Sequence, residues 1–137
     1  MSAPHVWLRS VIEDATDVSA FPVEATGATM PPYVVYTRES TSRDLMVLSD
    51  AYAEQPSADY IGPVATFLVT IYADSYVQAW DIAGLVANAA HKVSATSGGL
   101  TLYSIVEDEK DGSAGYLDGR EQPVYTVEQT IRIRFEE

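Results

Sequence analysis

In TIYADSYVQAWDIAGLV, residues 70–86, a serine stands where a strand-like run gives way to a helix-like one. A nucleophile elbow would hold a catalytic hydroxyl at such a junction. The elbow needs small residues on both sides, G-x-S-x-G, because its turn is strained. Here Ala73 and Val77 hold those positions, and Val77 is bulky and β-branched. Ser75 with Gln78 three positions on matches a capping box instead, in which the two side chains satisfy orphan N–H groups at a helix start. The spacing predicts a structural serine. The two histidines, His5 and His91, show neither H-x-x-x-H nor H-E-x-x-H spacing, so nothing supports a histidine-based metal site.

The acidic run EDEKDGSAGYLD, residues 107–118, sets Glu107, Glu109, Asp111, Gly112 and Asp118 near the offsets of a calcium-binding EF-hand loop. Its first ligand position is Glu instead of Asp, and the segment before it alternates like a strand. A solvated hairpin loop is the expectation. No phosphate-binding G-x-x-x-x-G-K-[ST] or dinucleotide-binding G-x-G-x-x-G occurs. Carboxylates abound, but no spacing singles out an acid/base pair. The reading assigns no catalytic, cofactor-binding or metal-binding residue and favours a non-enzyme. A small acidic enzyme, which would need a perturbed carboxylate pair in a deep pocket, and a monomeric or dimeric binding module are the alternatives from other classes. Nine tyrosines are more than one core of this size can hold, and tyrosine is enriched at protein interfaces. The residue types speak for assembly.

The elements that would position these residues belong to one domain. A chain of 137 residues, 47% hydrophobic, is long enough for a single core and too short for two ordinary ones. No run approaches the roughly 18 apolar residues of a membrane span. MSAPHVWLRS lacks the basic and apolar regions of a secretory signal, and the absence of cysteine excludes disulfides and thiol chemistry. A soluble cytoplasmic origin fits. Twenty acids against eight bases give a net charge of -12, which repels polyphosphate and argues against ordinary nucleic-acid binding.

Pro4 and HVWLRSVIED predict a first helix with an apolar stripe of Val6, Leu8, Val11 and Ile12. Residues 16–32, with Pro22, Gly27, Pro31 and Pro32, read as an irregular connection. Strands are predicted near 33–38, 64–73, 100–108 and 124–135, the last with the clearest period of two. A helix from Ser75 to about Val93 carries a stripe of Tyr76, Ala79, Trp80, Ala83, Val86, Ala87 and Ala90. Residues 39–62 read as a long arm, with an apolar island at Leu45, Met46, Val47 and Leu48, and residues 107–123 as an acidic loop. The order αββαββ predicts an α+β domain, with a mainly antiparallel four-stranded sheet and helices packed on one face.

PYVVY, then a long polar excursion, GPVATFLVTIYADSYVQAWDIAGLV, a strand, an acidic loop and VYTVEQTIRIRF resemble the tail completion, or tail terminator, proteins of long-tailed bacteriophages. The likeness runs from about Trp7 to Phe135 and is one of order and residue type, with no catalytic signature. It implies a ring, usually a hexamer, at the head-proximal end of the tail tube. Such a ring stops tube polymerisation and joins the tail to the head connector, and genome DNA crosses its bore at ejection without specific binding. The implied place is the virion tail or neck, reached from the host cytoplasm. The implied partners are further copies of the chain, the tube protein and the connector or adaptor, with no membrane. A head-tail adaptor or stopper ring of the phage neck is the neighbouring reading. Arg38, Arg43, Leu45, Met46, Val47, Leu48, Tyr52 and Tyr60, on and beside the arm, are the expected subunit or partner contacts.

Overall fold

The alternation of the last segment builds the middle of the molecule. β7, Pro123–Glu136, buries Val127, Gln129, Ile131, Ile133 and Phe135 on one face. Thr126, Glu128, Thr130 and Arg132 are turned to the other and stay half-buried, as a strand with one covered face requires. The computed structural model describes residues 4–23, 30–42, 63–97, 99–112, 115–116 and 123–136. Within them β3 (Val64–Ala73) pairs with one side of β7 and β5 (Leu100–Asp111) with the other, both antiparallel. β2 (Tyr33–Ser42) is antiparallel to β3, and β4 (Val93–Ser97) to β5. β1 (Ala20–Pro22) runs parallel to β2. The strand order is β1-β2-β3-β7-β5-β4, and the two-residue β6 (Gly115–Tyr116) pairs with β7 just below β5.

This corrects the expected α+β arrangement. The sheet has six strands on its main path, is mixed, and makes the molecule mostly β, in place of four antiparallel strands in αββαββ order. β1 lies in the proline-marked stretch read as irregular; its pairing is supplied by β2, so no local signal announces it. β4 occupies residues read as a helix end: the helix stops at Ala90, Lys92 turns the chain with a φ of 56°, and VSATS continues as a strand. Residues 39–42, assigned to the arm, extend β2, and the acids 107–111, assigned to a loop, extend β5. A strand beyond the edge of its neighbour leaves both faces partly wet, so charged side chains do not end it. A register shift between Val106 and Asp108 accommodates the change from apolar to acidic.

Both helices lie on the face formed by Phe67, Val69, Ile71, Val127 and Ile131, all buried. α1, Pro4–Thr16, begins with proline in its first turn and buries Trp7, Leu8 and Ile12. Val6, placed on the stripe from sequence, is exposed. α2, Tyr76–Ala90, buries Ala79, Ile82, Ala83, Val86 and Ala90. Small alanines let its axis approach β3 and β7. Trp80 is only half-buried and Tyr76 is exposed, contrary to the sequence stripe; both turn their polar atoms to Asp111 on β5. Each fully buried Phe, Ile, Leu or Val contributes roughly 1.5–3 kcal/mol relative to exposure. Among the described residues no helix is long and apolar enough to cross a membrane.

Candidate functional site

Ser75 is the N-cap of α2. Its Oγ accepts from the Gln78 N–H at 3.1 Å, and Gln78 Oε1 accepts from the Asp74 N–H at 3.0 Å. The reciprocal bond thus reaches one residue before the cap. Of the expected contact residues, Arg38 lies in β2, where its guanidinium stands 5.4 Å from the ring centroid of Phe67 and Nη1 donates to Thr41 Oγ1 at 3.4 Å. Arg43, Leu45, Met46, Val47, Leu48, Tyr52 and Tyr60 lie outside the described residues. Glu107, Glu109 and Asp111 lie along one strand. Among the described residues no group of three or more His, Asp or Glu could hold a metal ion.

The two sides of the sheet concentrate the remaining features, and their heights can be compared through the register. Val34, Ile71, Val127 and Asp111 form one row across the sheet, and Tyr36, Val69, Gln129 and Glu109 another. β1, paired with residues 34–36, therefore stands level with residues 127–129 of β7. On the opposite side Val93, the first residue of β4, pairs with Ser104 in the row of Ile133. Each side thus ends in a step. Residues 37–42 of β2 rise above β1 with no described strand beyond them, and residues 105–111 of β5 descend below β4 in the same condition.

β1 is a sealed edge. The Val34 N–H goes to Ser19 O and the Val23 N–H to Tyr36 O, each at 2.9 Å, so Ala20 and Pro22 turn their amides outward. The Ala20 N–H is taken by Glu13 Oε2 at 3.1 Å, and proline has no N–H. No outward donor remains for another strand. Glu13 also pairs with Arg9 at 3.5 Å, and both lie near the buried phenol of Tyr36. Burial raises the pKa of that phenol, Arg9 opposes the shift and Glu13 adds to it. Helix, β1 and β2 are fastened together at this corner.

The β5 side is finished differently. Just below β4, the Val106 N–H donates to His91 Nδ1 at 3.1 Å, a side chain replacing the missing strand. Gly112 donates to Thr126 O at 2.9 Å, so alternation turns the amides of Glu109 and Asp111 away from β7. Gly112 is required there, since a Cβ would collide with the Thr126 side chain. The Asp111 carboxylate accepts from Trp80 Nε1 at 2.8 Å and from the Tyr76 hydroxyl at 3.3 Å, tying the start of α2 to the hairpin. The buried Gln129 amide donates to Ala83 O at 2.9 Å and to Glu109 Oε2 at 3.1 Å. Two acceptors on one nitrogen fix the amide orientation and tether Glu109. Ala87, Asn88, His91, Val106 and Glu109 line a groove of about 260 Å³ between α2 and this edge.

Sequence reasoning passed over Val23, His91 and Glu109 as edge residues. His91 follows a helix, and Glu109 sits in an acidic run; their roles come from β4 ending at Val93, which no local pattern announces. Comparison with known protein families gives no match, and comparison with curated proteins gives none.

Proposed function

We propose that this chain is a structural ring protein of the tail-terminator kind, whose copies join side by side and cap the head-proximal end of a phage tail tube. The observation that carries the reading is the pair of complementary steps. When a second copy stands beside the first, its low β1 enters the space below the first copy's β4, and the first copy's β4 enters the space above the second copy's β1. The two joined surfaces differ, so the contact is head-to-tail and closes into a ring when the rotation per copy divides a full turn. An excess of 20 acids over 8 bases suits a bore through which DNA passes without adhering.

The test is the native mass of the purified chain, alone and mixed with a tail-tube subunit. A closed ring, hexameric as the resemblance implies, that binds the tube subunit is expected. A chain that stays monomeric at every concentration overturns the reading. A ring that ignores the tube and binds only the connector makes it a neck adaptor instead.

A further inference from the structure

We propose that the exposed corner of β1, led by Val23, seats in the groove between α2 and β5 of the next copy. The inference rests on the ring reading above and specifies which surfaces meet. Val23 is the oddest residue of the described backbone: β-branched, at a φ of 67°, and 70% exposed. A β-branched side chain in the left-handed region carries a steric cost. The other two non-glycine residues there, Asp17 and Lys92, directly follow helix ends, where that conformation is common. Val23 ends no helix. Its N–H bond to Tyr36 O fixes the corner while the side chain remains in water. Among the described residues the strain brings the side chain no packing.

Height identifies where the side chain goes. Val23 follows Pro22, which is level with Tyr36, Gln129 and Glu109. It therefore stands about one residue higher, between the rows of Glu109 and Val106, the two β5 residues that line the groove. Knob and groove occupy opposite sides of the sheet at the same height. Two copies set side by side with no vertical shift bring them together, and zero shift is what closes a ring; a rise per copy would give an open helix. The groove is also chemically suited. Ala87 and Val106 offer apolar contact to the valine, and the Asn88 amide can donate to the outward carbonyls of Ala20 and Pro22, which the sealed edge leaves as acceptors. Glu109, hydrogen-bonded by Gln129, forms the lower wall.

The chain contains no cysteine, so introduced thiols report without background. Val23→Cys and Asn88→Cys variants, made separately and mixed under mild oxidation, are expected to give a disulfide-linked pair that neither yields alone, since a bridge requires Cβ atoms about 3.5–4.5 Å apart. Val23→Asn, a residue that tolerates the left-handed conformation, is expected to melt no lower than the parent. Its ring should dissociate at concentrations at least tenfold higher. If the parent ring forms but the cross-link is absent and the Val23→Asn ring is as tight as the parent's, other surfaces hold the ring and the seat is wrong while the ring reading stands. If the parent is monomeric at all concentrations, both fall together.

Discussion

On the β1 side, the last strand has spent its outward donors, one on the Glu13 carboxylate and one lost to Pro22. On the β5 side a histidine ring covers a single amide, and the next outward ones, at Glu109 and Asp111, have no described strand beside them. Unpaired edges invite strand addition from any chain with a free edge of its own. One sealed edge and one open edge restrict that invitation. Two β1 strands, with no outward donor between them, cannot add to each other, which disfavours symmetric pairing through β1. The difference is what the proposed head-to-tail contact requires.

The comparison presumes that both sides hang from one core, and the strongest perturbation tests that presumption. Ile131→Ala, in the middle of β7 with no exposed surface, should cost about 2–5 kcal/mol in denaturant unfolding. It should loosen amide protection in β2 and β5 alike. Protection lost on one side only would mean two independent halves. Glu13→Ala removes both the Ala20 cap and the Arg9 pair, with an expected loss of about 1–2 kcal/mol. It should also convert uniform assemblies into a mixture that includes pairs joined through β1, visible by native mass. An unchanged mass distribution would show that the carboxylate does not guard the edge.

Asp111→Ala, which frees Trp80 and Tyr76 on the open side, should lower stability by about 1 kcal/mol. The indole emission should shift to the red, and an unshifted spectrum would count against the tie. The smallest effect is one of pH. Tyr36 has a phenol whose pKa burial raises above the ordinary 10.0. The neutral form is thus favoured in the folded state, and its contribution is complete below pH 10 and lost as the pH rises through the higher folded value. The melting temperature of the parent should fall more steeply above pH 10 than that of Tyr36→Phe. Equal slopes would remove the phenol from the account.

Much of the middle of the fold was legible in the residues. The period of two in VYTVEQTIRIRF and the change of period at Ser75 follow from side-chain geometry alone, so β7, β3 and the start of α2 are where the pattern puts them. The edges were not legible. A three-residue strand such as β1 has no periodicity to detect, and its hydrogen bonds come from residues fourteen positions away, as Ala20 with Val34 shows. β5 disguised itself because acids tolerate a strand that water reaches, so Glu107 to Asp111 looked like a loop. Of the contact residues expected from sequence, Arg38 is placed against Phe67. The Leu45 island and its flanking arginine and tyrosines lie outside the described residues, and the groove and the Val23 corner, which no motif marks, carry the assembly argument in their place.

The position of β7 also has a bearing on how the chain acquires its shape during synthesis. Among the described residues β3 and β5 are joined through β7, yet the other described strands and helices precede it in the chain. The β2–β3 hairpin and the β4–β5 hairpin can each form early from neighbours in sequence, but they remain two halves without a seam until residues 123–136 emerge from the ribosome and slide between them. The bond from Gln129 to Glu109, on the wall of the groove, also forms only then. If copies join as proposed, a nascent chain would offer no finished seat to those already released, and the order of translation itself would keep half-made subunits out.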